Sequence, residues 1–515
     1  MNRFLLCVGL VPALLSAATA AAQAPTPVTR VPTSVERAAA TITAEDLQRR
    51  IGVIAHDSMR GRFTPSPELE KTAEWIAGEF RRLGLRPGGD DGSFLQRYSI
   101  RRVALDPERS GGRFGRRDIR YGRDFGPALP IIPPANSLTG PLVAVSGSAD
   151  PEEGLGAVSF AGKHVLIIPA LGLDSRDPEV RAVMRAVLAR DPLGIWIPIE
   201  EENRDWVARV NAELRREHLH VGEPSTLPAF VIRDIAIAQM LKGENLDLLE
   251  LRAQADGPLQ VHQLPQQLVS VTTEWHFISD RSAPNVVGML EGSDPTLKAE
   301  YVVYSAHMDH VGVGEPNVWG DSIYNGADDD ASGTSTVVEV AEAFASLEPR
   351  PRRSIMFVAV SGEEHGLWGS DHFAEHPPVP VEQMVADLNV DMVGRNWTDT
   401  IVAIGKEHSD LGLTLAQVNA AHPELGMTAI YDLWPQESFY TRSDHYNFAR
   451  KGVPILFFFN GTHEDYHEPS DEVEKIDAEK TARIGRLLFY LGLEIADRTE
   501  RPRWNAQSYR AIVSP

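Results

Sequence analysis

Apolar residues recur at Leu69, Ala73, Ile76, Phe80 and Leu83, three or four positions apart, which is the period of one helix face. Ser66-Pro67 is an opening pair for such a helix, and Gly84 followed by Pro87-Gly88-Gly89 ends it, so a helical region is predicted over 44–83. Residues 101–135 break this rhythm. They are rich in Arg and Gly, poor in apolar residues, and close in Pro133-Pro134, which predicts loops and short strands at a domain junction. From 136 to 262, short β-type runs at 141–145 and 164–168 mix with a helical stretch at 234–241. That mixture predicts a compact module inserted into another domain. A strand pattern restarts at 284–290. From 300 onward, apolar runs at 301–305, 354–361, 385–390 and 454–459 alternate with helical patterns at 332–347 and 478–496. Nearly continuous apolar strands alternating with helices predict an α/β fold whose sheet is covered on both faces.

Composition narrows the classes. The chain has 515 residues, a length that favours about three domains. An apolar fraction of 43% and a charged fraction of 24% are globular values and exclude a collagen-like, coiled-coil or disordered chain. Lys plus Arg number 50 against 72 Asp plus Glu, a net charge of −22. Such a chain is poorly suited to nucleic acid, which is bound through Lys/Arg–phosphate contacts, so no nucleic-acid partner is expected. It is well suited to holding cations. The single cysteine, Cys7, lies in MNRFLLCVGLVPALLSAATAAAQA, where Arg3 precedes an apolar run over 4–15 and a small-residue stretch over 18–24. This predicts a secretory signal peptide over 1–22, cut after Ala22, and hence a periplasmic or secreted protein. The remainder then has no cysteine, which excludes disulfides and thiol chemistry. No later apolar run is long enough to span a membrane. The expected organisation is 1–22 signal peptide, 23–135 leader and first part of the main domain, 136–262 inserted module, and 263–515 main domain.

Ligand-type residues cluster where strands end. His307-Met308-Asp309 follows the strand at 301–306, and Gly326-Ala327-Asp328-Asp329-Asp330-Ala331-Ser332-Gly333 precedes a helix. Glu363-Glu364 follows 354–361, Asp391 ends 385–390, and Asp465-Tyr466-His467 follows 454–459. In open α/β sheets the carboxyl ends of the strands line the ligand crevice. A lone histidine, a Glu-Glu pair or an Asp triplet is ordinarily structural, but five such groups at successive strand ends are aimed at one place. Imidazole and carboxylate donors without thiolate suit zinc, with manganese or cobalt as competitors. Two histidines and three acids suffice for two ions sharing one carboxylate, with one acid left over for proton transfer.

The segments SAHMDH, NGADDDASG, SGEEHGLWGS, NVDMVG and DYHEPSD, in that order, resemble the M28 family of co-catalytic zinc exopeptidases. SFAGKHVLII and LPAFVIRDIAIAQML resemble the protease-associated (PA) domain found inserted in many members, and DSMRGRFTPSPELEKTAEWIAGEFRRLGL is similar to the helical start of the peptidase domain. The resemblance implies an α/β/α sandwich of the zinc-exopeptidase type with a mixed, mostly parallel sheet and an inserted β-rich protease-associated domain. It implies two Zn2+ ions per chain. His307 and Asp391 would hold the first, Glu364 and His467 the second, and Asp329 would bridge them, followed by a cis Asp329–Asp330 peptide bond. Asp309 would orient the His307 imidazole, and Glu363 would be the general base. Tyr466 and Arg442 match positions that contact the substrate carbonyl in some relatives, and Ser443-Asp444-His445 resembles a motif near the substrate pocket. The implied reaction is hydrolysis of the N-terminal peptide bond of peptides with a free N-terminus, through a metal-bound hydroxide. Glu363, Asp391 and Glu437 are candidate acceptors for the substrate amino group, and the inserted module would wall the cleft. A carboxypeptidase resembling glutamate carboxypeptidase is an alternative, for which Arg442 is the one suitable cation. A glutaminyl-cyclase-like acyl transferase would bind a single zinc, and a receptor-like protein with a dead site would have lost ligands that this sequence keeps. Nothing in the sequence sets the oligomeric state.

Overall fold

The computed structural model describes residues 33–106, 108–127, 136–170, 177–199, 218–221 and 229–513. The expected signal peptide lies outside them. The first helices, Ser34–Ala39, Ala44–Ile54 and Pro67–Arg82, begin at Thr33, Thr43 and Ser66, whose side chains accept hydrogen bonds from the first helical turns. The 3.6-residue period places Leu69, Ala73, Ile76 and Phe80 on the buried face, as the sequence predicts.

Four parallel strands form the centre of the larger sheet: Ser354–Val360, Tyr301–His307, Met384–Asp391 and Ile455–Phe459, adjacent in that order. Every residue in them is buried, which explains their largely apolar sequences. Helices Gly333–Ser346 and Ala478–Asp497 and the N-terminal helices pack on one face, and helices Trp368–Glu375 and His445–Arg450 on the other, giving three layers. The flanks are antiparallel. Strands Trp275–Leu290, Leu95–Leu105 and His218–Val221 extend one side, and Thr400–Ile404 pairs antiparallel with Ile455–Phe459 on the other. The sheet is therefore mixed: its centre is parallel, both flanks join that centre antiparallel, and at one edge Thr428–Ile430 pairs parallel with Thr400–Ile404.

A second, eight-stranded sheet has its own cores on its two faces. Helix Pro178–Leu188 covers one face and helices Asp234–Gly243 and Leu248–Ala253 the other. Its strands run from Gly111–Phe114 to Gln260–Thr273, wider than the 136–262 expected for the insertion. The hairpin Gly111–Phe114/Arg117–Arg120 belongs to it because Gly111–Phe114 pairs with Gln260–Thr273. Strand His218–Val221, inside the expected insertion, belongs instead to the larger sheet. Both corrections come from pairings between residues more than 100 positions apart, which no local pattern encodes. Leu95–Leu105 and Trp275–Leu290 form the ribbon that joins the two sheets, and the Asp106 N–H donates to the Glu274 carbonyl at 2.8 Å where the chain leaves and returns.

Candidate metal centre

All the ligand-type residues singled out in the sequence lie at the carboxyl end of the central parallel strands. His307 and Asp391 are the last residues of their strands, and Glu363-Glu364 lie in the loop after Ser354–Val360. Asp329 sits in the tight turn Ala327–Ser332 that leads into helix Gly333–Ser346, and its peptide bond to Asp330 is cis. His467 comes from the loop after Ile455–Phe459, with a left-handed backbone at φ 57°.

Asp329 is the hub. Its Oδ1 lies 3.3 Å from His307 Nε2, and its Oδ2 lies 3.1 Å from His467 Nε2. On the first side, His307 Nε2 is 3.6 Å from Asp391 Oδ1. On the second, His467 Nε2 is 3.1 Å from Glu364 Oε2. Donor atoms about 2.0–2.1 Å from a tetrahedral zinc are about 3.3 Å from one another, so these separations are those of ligand edges. His467 Nε2 is buried and lacks a well-formed hydrogen bond, although two carboxylate oxygens face it. A cation between them would satisfy all three atoms. The donor set fits two divalent ions sharing the Asp329 carboxylate.

Asp330 also lies among the donors around His307 and Asp391. Its oxygens, however, accept backbone hydrogen bonds from Gly333 at 2.8 Å, Met392 at 3.1 Å and His307 at 3.3 Å. It ties three loops together and leaves coordination to its neighbour. The Asp309 carboxylate accepts from Thr64 Oγ1 at 2.9 Å and from the Glu363 N–H at 3.3 Å. It stands 3.8 Å from His307 Nδ1, and the Asp309 backbone carbonyl is nearer, at 3.3 Å. The carbonyl, more than the carboxylate expected for the role, is thus placed to orient that ring. Ser443 donates to Asp391 Oδ2 at 3.0 Å.

Two supports were missed in the sequence. Arg62 is fully buried and donates to the carbonyls of Met308, Ile54, Asn325 and Gly326 behind the ligand loops. An arginine in an Arg/Gly-rich stretch gives no signal of such burial. His310, also fully buried, places Nδ1 2.8 Å from Glu364 Oε1. Only its closeness in sequence to His307 could have pointed to it.

His307, Asp329, Glu363 and Asp391 line one open cleft. Met392, Phe439, Phe457 and Phe459 form its apolar wall, and Tyr466, Ser443, Thr462 and Arg442 complete it. Tyr466 stacks on His467 with ring centroids 3.9 Å apart. Arg442 is half exposed, lies over the Phe439 ring and faces Glu437 at 3.7 Å.

Burial pushes the Glu363 carboxyl well above its usual range, and the nearby Asp444, Glu364 and Asp391 add to the rise. Burial also raises Asp391, and holds Asp444 up at about 7. Burial opposes charge on His467 too, but Asp329 and Glu364 outweigh it and lift the imidazole to about 10. Burial raises the Tyr466 hydroxyl, as do Asp329 and Glu364, so it remains a donor. The site thus carries buried carboxylates in excess of its cations, which is costly unless cations or protons compensate.

Donors at the carboxyl ends of parallel strands in a three-layer sheet are consistent with the α/β zinc-exopeptidase fold. Residues 285–492 match the model of Peptidase family M28. The chain is 25% identical over 257 residues to Aminopeptidase YwaD of Bacillus subtilis, covering 48% of this chain and 52% of that protein. To a probable leucine aminopeptidase of Arthroderma benhamiae it is 27% identical over 225 residues, covering 42% and 59%. The chain therefore spans little more than half the length of these curated relatives. Among solved structures, the aminopeptidase from Aneurinibacillus sp. strain AM-1 aligns with 91% of this chain and 97% of its own, at 17% identity and a TM-score of 0.49.

Proposed function

We propose that the protein removes N-terminal residues from peptides as a di-zinc aminopeptidase. The observation that carries this reading is the split Asp329 carboxylate, one oxygen facing His307 and the other His467, beside a cleft that also contains Glu363. His307 and Asp391 would hold one ion, and Glu364 and His467 the other. Two such ions, when bound, polarise a scissile carbonyl and lower the pKa of water to about 7. Glu363, which lines the cleft, accepts the proton of the attacking water and delivers it to the leaving amine. Tyr466 keeps its proton and donates to the oxyanion. Met392, Phe439, Phe457 and Phe459 receive an apolar side chain of the N-terminal residue.

The rim favours this over the carboxypeptidase alternative. Among the described residues lining the cleft, Arg442 is the one Arg or Lys, and Glu437 faces it. No unopposed cation is therefore offered to a substrate carboxylate, while Glu363 and Asp391 remain for an amino group. The second sheet is proposed as a protease-associated module. The segments SFAGKHVLII and LPAFVIRDIAIAQML fall on strand His164–Ile168 and on strand Ala229–Arg233 with helix Asp234–Gly243. Export is proposed on the pattern of residues 1–22. Among the described residues no helix is long and apolar enough to cross a membrane.

The test is a panel of peptides with free and N-acetylated termini, with and without a strong chelator. Release of N-terminal residues from the free-amino set alone, abolished by the chelator and restored by zinc, is expected. Cleavage of blocked peptides from the carboxyl end would overturn the assignment.

A further inference from the structure

His310 lies within ligand distance of the second ion site. Its Nδ1 is 2.8 Å from Glu364 Oε1 and 3.7 Å from Asp329 Oδ2, and its ring meets that of His467 edge-on at 5.5 Å. By distance alone it groups with Asp329, Glu364 and His467 as a fourth donor. The position of its proton argues otherwise. Nε2 is buried and has no hydrogen-bond partner among the described residues. The ring cannot easily turn to offer Nε2 instead. It lies against Gly326, where an added Cβ would come within 2.6 Å of Cγ and Cδ2. If Nδ1 bound a metal, the proton of the neutral imidazole would sit on Nε2, as a buried donor without an acceptor, and would bear its full desolvation cost. With the proton on Nδ1, the donor is at hydrogen-bond distance from a carboxylate, where such bonds are strongest. The bare Nε2 lone pair is the less costly group to leave unpaired.

We propose that His310 is a positioning residue, not a ligand: its Nδ1–H clamps Glu364 Oε1 and thereby commits Glu364 to the second ion through Oε2 alone. This rests on the metal centre proposed above. Oε2 is the oxygen that faces His467, at 3.1 Å. With Oε1 engaged, Glu364 does not chelate through both oxygens. An ion held there would have three protein ligands, Asp329, Glu364 and His467, which would leave a position for water or substrate, as catalytic sites require. Hydrogen-bonding partners of metal ligands are typically worth 10–100-fold in metal affinity.

The experiment compares wild type, His310→Ala and His310→Asn by titrating zinc against a competing chelator, with circular dichroism to verify folding. The amide nitrogen of Asn occupies the place of Nδ1 and keeps the donor. His310→Ala should weaken one of the two ions by about 10–100-fold and leave the other unchanged, and His310→Asn should recover most of the loss. X-ray absorption at the zinc edge of wild-type protein, which needs no variant to fold, should show an average of one imidazole per zinc, from His307 and His467. Unchanged affinities in His310→Ala, an Asn variant as weak as the Ala variant, or more than one imidazole per zinc would each overturn the role. A wild type that binds fewer than two ions would instead show that the di-metal centre itself is wrong.

Discussion

Glu363 and Glu364 share a side-chain type and a loop, yet their surroundings assign them different work. Glu364 Oε2 faces His467 and Oε1 faces His310, whereas Glu363 lines the cleft and carries a raised proton affinity. Glu363→Gln keeps the shape but cannot accept a proton. It is expected to bind two ions, fold as wild type and lose turnover by about 10²–10⁴. Glu364→Gln is expected to weaken the second ion, with activity partly recovered in excess zinc. Elemental analysis beside kcat for both variants checks this; metal lost from the first variant and retained by the second would reverse the pair. The sequence made the donor residues visible because strand ends converge in this kind of sheet. It did not make His310 or Arg62 visible, because each acts through burial created by distant segments. Arg62 works on carbonyls contributed by residues around 54, 308 and 325, and nothing near position 62 announces them.

At the scale of elements, the helices read well from sequence because their periods are local. Pro67–Arg82 starts at its Ser66 cap and buries the residues its spacing selects. What the period does not show is how the helices are fastened together. Arg50, fully buried on helix Ala44–Ile54, pairs with Glu79 of Pro67–Arg82 at 3.0 Å and with Glu339 and Glu342 of Gly333–Ser346. Glu339 is itself buried, and that burial raises it to about 7. Removing one partner of such a set leaves buried charge uncompensated, at about 3–5 kcal/mol. Arg50→Ala is therefore expected to lower unfolding stability by about that amount, read from denaturant melts. A loss under about 1 kcal/mol would show the network to be solvated and the helices held by apolar packing alone.

For the molecule as a whole, the surplus of acid that the composition announces is not evenly spread. Glu472 is surrounded by Asp57, Asp321, Asp471 and Glu474, drawn from three separate stretches of the chain. Burial, with these neighbours adding to it, raises Glu472 from 4.5 to about 7. The folded state therefore holds a proton there that the unfolded chain gives up. Between pH 4.5 and 7 the unfolded state binds fewer protons at this site, so its contribution to stability falls as pH rises through that window. Glu472→Gln is expected to raise the melting temperature above pH 7, to have little effect at pH 4, and to flatten the profile between. An equal shift at both pH values would mean that the gain is not electrostatic. The sequence shows the charge total but not this grouping, just as it shows an inserted module but misplaces its edges. In each case the missing information is which distant segments meet.

The ribbon of Leu95–Leu105 and Trp275–Leu290 bears on how such a protein could have been assembled. Leu105 pairs directly with Trp275, so the chain departs from the larger sheet and rejoins it on neighbouring strands. Neighbouring strands are about 4.8 Å apart, which is the gap a two-residue hairpin closes. To the host sheet, the described residues between 106 and 274, strand His218–Val221 apart, are a hairpin turn that has grown. The entropic cost of closing a loop rises only with the logarithm of its length, and an insert that folds on its own cores, with its ends side by side, lowers even that cost. Lineages could therefore gain, lose or exchange the insert at this point without shifting the register of a single strand that carries a metal ligand.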